Sequence, residues 1–370
     1  MRPRTSTQIS FLAGAAIAAA AVALVGCAQV SQPGLASTTP SLAPSSSLYS
    51  LASSSARPTT IYETRTISFA LDRIDQRALP LDQTYRHSAT GKGVTVYVFD
   101  GGISDTHPEL AGRVRTGFTG FPDDPKICNA HGTAVAGAIA GSTLGVAPEA
   151  QIVDVKMVQC ARLRGTIKAI VDGAKWVIED HKLHPGPAIA NWSFIADTAG
   201  RIAELDTAVA ELRANGIPVV VSAGNLEVDA CRVSPGNSPG AIVVGASGVS
   251  GVEGPDSTVH LIDRRSPGTA YGHCIDVYAP GDSVLLPSID RDLQPITQLW
   301  NGTSMSAGYV SGAIALYLES HPTATPDQVA AELKRTATMN VLQDTRSATS
   351  RMLYVGAPML RAEIRTASRR

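Results

Sequence analysis

Charge is sparse in this chain and nearly balanced. Lys and Arg number 31 against 32 Asp and Glu in 370 residues, a net charge of −1, and no basic stripe is present, which argues against nucleic acid as a partner. No two cysteines stand in CxxC spacing, which weighs against a zinc site. Asp100-Gly101-Gly102-Ile103 lacks the spaced glycines that bring a helix end onto phosphates, so a nucleotide-binding enzyme is poorly supported. There is no internal repeat and no sign of a second domain core. The apolar run from Phe11 to Gly26 is too short to favour a permanent membrane span. What remains is an ordinary globular balance, 44% hydrophobic and 17% charged, with ample material for a core.

The N-terminus bears on the compartment. Arg2 and Arg4 precede the apolar run, the charged-then-apolar layout of a secretory signal peptide. The run ends Leu24-Val25-Gly26-Cys27, which resembles a bacterial lipoprotein signal and implies a lipid anchor at Cys27. The expectation is therefore a signal peptide over 1–26 and an exported, membrane-anchored protein on a bacterial surface or in the periplasm, an oxidising space. Residues 27–64, dominated by Ser, Pro, Ala and Thr, cannot bury enough surface to fold and read as a tether. A folded domain is expected over 65–356 and a tail over 357–370.

Within that domain, short apolar runs bounded by turn residues alternate with helical periods. Val94–Phe99, Ile152–Val158, Ala188–Phe194, Ile217–Ala223, Ala241–Ala246 and Cys274–Ala279 read as strands. Thr166–Lys182 and Arg201–Ala214 read as amphipathic helices. Thr325-Pro326-Asp327-Gln328 carries an N-cap, a first-turn proline and a capping-box glutamine, predicting a helix to about Ala337. The alternation implies an α/β fold in three layers, a mainly parallel sheet covered on both faces.

Four segments carry candidate chemistry. Ser304, in Asn301-Gly302-Thr303-Ser304-Met305, opens a run of small and apolar residues that reads as the first turn of a buried helix. There a hydroxyl and free backbone N–H groups would stand together; the plainer role is an N-cap. Asp100 ends an apolar strand, and the carboxyl ends of parallel strands are where active sites gather. His131 begins a helix of small residues, His131-Gly132-Thr133-Ala134-Val135-Ala136-Gly137, and Asn225 follows the strand Val219–Ala223. Taken singly, each has an ordinary structural role.

Together with Asp72-Arg73-Ile74-Asp75-Gln76-Arg77, Gly145-Val146-Ala147-Pro148 and Ala279-Pro280-Gly281, these segments resemble the subtilisin-like serine proteases, within them the proteinase K branch, over roughly Phe69 to Tyr354. The resemblance implies the Asp, His, Ser order of that triad: Ser304 as nucleophile, His131 as general base and Asp100 as the group that orients it. It implies an oxyanion site at Asn225 and polypeptide as substrate, bound by strand addition along Gly165, Ser193, Phe194, Ile195, Ala223 and Gly224. Four cysteines remain beyond Cys27, and three pairings are open from the sequence. The resemblance implies Cys128 with Cys160 and Cys231 with Cys274. A monomer is expected, with no cofactor and no metal; calcium is conceivable but not predicted, since the aspartate expected after Gly-Ala-Ser is Gly248.

Departures from the family cluster at the substrate wall. Ser193-Phe194-Ile195-Ala196 stands where relatives carry Ser-Leu-Gly-Gly, so a branched side chain is expected to narrow the pocket. Gly101 replaces a hydroxyl residue after the aspartate, and Ala134 replaces a second histidine. No folded pro-domain is apparent between Cys27 and the domain. The competing expectation is a catalytically impaired binding or scaffold protein on the same fold.

Overall fold

The computed structural model describes residues 9–10, 61–196, 200–253 and 258–356. The expectations for 1–26, for most of the tether including Cys27, and for the 357–370 tail lie outside the described residues, apart from the backbone of β1 (Ile9–Ser10). β2 (Tyr62–Arg65) pairs antiparallel with β3 (Thr84–His87), Tyr62 opposite His87 and Thr64 opposite Tyr85. The described strand pairing thus begins at Tyr62, a few residues ahead of the boundary expected at 65. Tyr62 to Thr64 are exposed and are held by backbone pairing, which composition does not register. The helix α1 (Phe69–Ile74) separates the two strands in sequence.

The chain then runs through β4 (Thr95–Asp100), β5 (Val114–Thr119), α2 (His131–Ala140) and β6 (Gln151–Lys156). A short hairpin, β7 (Val158–Gln159) with β8 (Arg164–Gly165), leads into α3 (Ile167–Leu183) and β9 (Ala188–Trp192). Next come β10 (Ile195–Ala196), α4 (Ala203–Ala214) and β11 (Val219–Ser222), then the hairpin of β12 (Ile242–Glu253) and β13 (Val259–Arg265). β14 (Val277–Pro280), a second hairpin of β15 (Val284–Ile289) and β16 (Pro295–Trp300), α5 (Thr303–Ser320), α6 (Pro326–Thr336) and β17 (Leu342–Gln343) complete it.

The central sheet has the order β17-β13-β12-β11-β9-β4-β6-β5, with β14 also on β12. Its pairings are parallel except β12 with β13. This is the three-layer α/β arrangement. The six expected strands are all present, and Ala241–Ala246 is the first half of a longer one. Its continuation, Ser247 to Glu253, lacks an apolar run and is defined instead by its antiparallel partner.

Residue parity along the strands assigns each side chain to a face. Val96 and Val98 join the core beneath α1, α2, α5 and α6, whereas Tyr97 and Phe99 join the core beneath α3 and α4. Asp100, in step with Val96 and Val98, therefore faces the layer that contains α2 and α5. Those two helices approach closely because Gly308 lacks a side chain: a Cβ there would lie 2.9 Å from Ala138 Cβ and 3.0 Å from the Val135 carbonyl. α6 begins with the predicted capping box, Thr325 and Gln328 bonding each other's backbone N–H.

Candidate active site

At the carboxyl end of β4 the Asp100 carboxylate is 1% exposed and accepts the Gly101 N–H at 2.7 Å. His131, the first residue of α2, places Nδ1 2.7 Å from Asp100 Oδ2 and 3.0 Å from Oδ1. A carboxylate only accepts, so Nδ1 carries the proton and Nε2 is left as the basic nitrogen. The ring is held further by its backbone, His131 N donating to Asn129 Oδ1 at 3.0 Å, and by Trp300, which meets it edge-on at 6.2 Å.

Ser304 is the second residue of α5. The cap is Gly302, not Ser304, so the plain capping role does not apply to the serine. Its Oγ instead donates to the Ser193 carbonyl at 3.1 Å, while Ser193 Oγ donates back to the Ser304 carbonyl at 3.0 Å. Ser193 is supported by Asn191, whose Nδ2 donates to it and whose Oδ1 accepts from Ser311 in the body of α5. The helix start thereby docks on the strand segment 191–195.

Asn225 lies on the other side of the same helix start. Its Oδ1 accepts both the Thr303 N–H at 2.9 Å and the Thr303 hydroxyl at 3.0 Å. Occupying Oδ1 this way fixes the amide flip and leaves Nδ2 as the donor, beside Gly302, where a Cβ would lie 3.0 Å from it. Thr303 Oγ1 in turn accepts the Gly224 N–H at 3.1 Å. The arrangement brings a buried carboxylate, a partly exposed imidazole, a hydroxyl at a helix N-terminus and an oriented amide to one end of the sheet.

The remaining predicted positions fall into two groups. Ile195 and Ala196 form β10, which pairs antiparallel with β1, Ser10 opposite Ile195 and Ile9 opposite Ala196; β1 also runs alongside β8, which contains Gly165. This edge therefore accepts an extended strand. Phe194, expected at the substrate wall, is 2% exposed and stacks on Trp192 at 5.5 Å, so its ring belongs to the α3/α4 core. Alternation along the strand turns it inward while Ser193 and Ile195 face the cleft side. Ala223 is buried beside Gly224.

The cysteines are bonded Cys128–Cys160 and Cys231–Cys274, leaving no thiolate there for a metal. Cys128 N donates to the Gly101 carbonyl at 2.8 Å, so the first bridge braces the turn after Asp100. Gly248 packs tightly against Asp282: a Cβ at position 248 would lie 2.7 Å from Asp282 Cβ.

Sequence reasoning missed one group beside the catalytic candidates. Asp154 on β6 is 2% exposed; its Oδ2 accepts the Ile103 N–H at 3.2 Å and its Oδ1 has no hydrogen-bond partner. Burial, with a smaller contribution from the Asp100 charge, pushes its carboxyl up to about 7. A lone carboxylate inside the run Ile152-Val153-Asp154-Val155 was the available signal.

Residues 91–353 match the subtilase family. The chain is 40% identical over 290 residues to an extracellular serine proteinase of Thermus sp. (strain Rt41A), covering 78% of this chain and 66% of that one. It is 36% identical over 289 residues to alkaline serine exoprotease A of Vibrio alginolyticus, covering 77% of this chain and 50% of that one. It thus spans between half and about two thirds of those relatives' lengths. A cold adapted subtilisin-like serine proteinase of known crystal structure superposes with a TM-score of 0.68 at 36% identity, over 80% of this chain and 100% of that one.

Proposed function

Because the chain belongs to the subtilase family, we propose that it is an exported serine endopeptidase in which Asp100, His131 and Ser304 form the catalytic triad. The observation that carries this reading is the 2.7 Å bond from His131 Nδ1 to the buried Asp100 carboxylate, at the same sheet end as Ser304 and Asn225. Ser304 Oγ attacks the peptide carbonyl carbon as its proton passes to His131 Nε2. The negative charge that forms on the carbonyl oxygen takes hydrogen bonds from Asn225 Nδ2 and the Ser304 N–H. The C–N bond then breaks, His131 returns the proton to the leaving amine, and an ester to Ser304 remains. Water, deprotonated by the same nitrogen, hydrolyses that ester and regenerates the hydroxyl. Asp100 stays ionised throughout and stabilises the imidazolium.

The reaction uses no cofactor, and the substrate is an extended polypeptide laid along β10. The protein acts as a monomer, held at a membrane by lipid on Cys27 after removal of residues 1–26, with 27–64 as tether. The deciding experiment is labelling with a small fluorophosphonate. Labelling lost in Ser304→Ala supports the peptidase; a folded protein that takes no label is the impaired scaffold instead.

A further inference from the structure

The space beside Ser304 in which a substrate side chain must sit is bounded by Ser193–Ile195 on one side and Ala223–Asn225 on the other. An acyl carbonyl that reaches Ser304 Oγ with its oxygen toward Asn225 directs the side chain of its own residue between these two strands. In this chain that trough is filled. A Cβ built on Gly224 would lie 3.1 Å from Ile195 Cδ1, 3.1 Å from Cγ2 and 3.9 Å from Cγ1, so the isoleucine side chain lies directly on the open face of Gly224.

Neither wall can retreat. Gly224 has φ +101°, donates its N–H to Thr303 Oγ1 at 3.1 Å and accepts the Ala270 N–H at 2.8 Å. Across from it, Ser193 is tied to Ser304 at both its carbonyl and its hydroxyl, and Ala196 N donates to the Ser234 carbonyl at 2.8 Å. A β-branched side chain on a fixed strand has little rotamer freedom with which to swing aside.

We propose that Ile195 is a specificity-determining residue that restricts this peptidase to glycine, alanine or serine immediately before the scissile bond, a proposal that rests on the peptidase reading above. Large aromatic and aliphatic residues are excluded by occupied volume, while strand pairing along β10 still docks the rest of the peptide.

The test is a set of peptide anilides that differ only in the last residue, Gly, Ala, Leu or Phe, assayed on the wild type, Ile195→Ala and Ile195→Gly. Active sites are counted by fluorophosphonate labelling. A single methylene in an apolar pocket is worth about 10–200-fold in kcat/KM. The wild type is expected to cleave the Ala peptide at least about tenfold better than the Phe peptide. Ile195→Gly is expected to raise the Phe to Ala ratio of kcat/KM by about 10–100-fold, and Ile195→Ala to fall between. If Ile195→Gly fails to label, Ile195→Ala carries the comparison. Protein that labels but prefers Phe, or whose Phe to Ala ratio ignores position 195, overturns this inference alone. Wild type that is folded and unlabelled overturns the peptidase reading and this proposal with it.

Discussion

Asp154 and Asp100 occupy the same face of the sheet on adjacent strands, offset diagonally: Asp100 is level with Lys156 and Asp154 with Val98. Burial is the largest influence on the Asp154 carboxyl, and the Asp100 charge adds to it; Lys126 and Lys156 act the other way without prevailing. The folded-state value of about 7 lies above the unfolded one near 3.8. Its contribution to stability is therefore fully present below about pH 4 and is lost as pH rises through about 7. In a Ser304→Ala background, which prevents self-digestion, Asp154→Asn should stabilise the protein at pH 8 on the order of a few kcal/mol relative to its parent, and much less at pH 4. Urea unfolding at both values measures this. An identical pH slope with and without the carboxyl would rule it out.

Asn225 is pinned through its carbonyl by Thr303, and its free amide donor is the part assigned to the oxyanion. Asn225→Ala should lower kcat by about 100–1000-fold with KM nearly unchanged. Steady-state kinetics on an Ala-terminated peptide anilide check it, and a change confined to KM would remove Asn225 from the chemistry.

The Cys128–Cys160 bridge closes a loop of sequence separation 32 and rests on the turn that follows Asp100. Replacing both cysteines by serine should cost about 3–4 kcal/mol by loop-entropy reckoning. Because the Cys128 N–H holds the Gly101 carbonyl, activity should fall as well, beyond the loss expected from unfolded protein alone. Denaturant melts paired with active-site counts separate the two effects.

If lipid on Cys27 anchors the protein, Cys27→Ser should move it from the membrane fraction to the soluble fraction in the bacterial host, with the specific activity of the domain unchanged. Fractionation followed by the fluorophosphonate label reads both. Membrane association that survives the substitution defeats the lipoprotein reading.

Much of this site was legible before any coordinates. Asp100, His131, Asn225 and Ser304 each stand at a boundary where an apolar or small-residue run starts or stops, and such boundaries survive in sequence because they mark strand and helix ends. The covering helices announced themselves by amphipathic period and by caps, Thr325 with Gln328 being the clearest. What sequence could not supply was pairing across distance. Tyr62–Arg65 and Ser247–Glu253 are strands only because β3 and β13 lie beside them. Asp154 looked like one polar residue in a strand until register placed it near Asp100. Phe194 was expected on the peptide-pairing strand, and strand alternation adds that its ring packs in the core.

From Thr303 through Gly312 every residue of α5 is buried. Beyond the first turn, whose Ser304 N–H faces the cleft, the amides of this buried stretch are expected to exchange with solvent only through large openings of the surrounding layers. Ser304 thus sits at the start of a deeply buried helix, so the stability of the core and the position of this hydroxyl are expected to be lost together. Loss of activity on heating should coincide with collapse of the whole domain, and a packing defect anywhere against this rod should register as lost turnover as readily as lost stability.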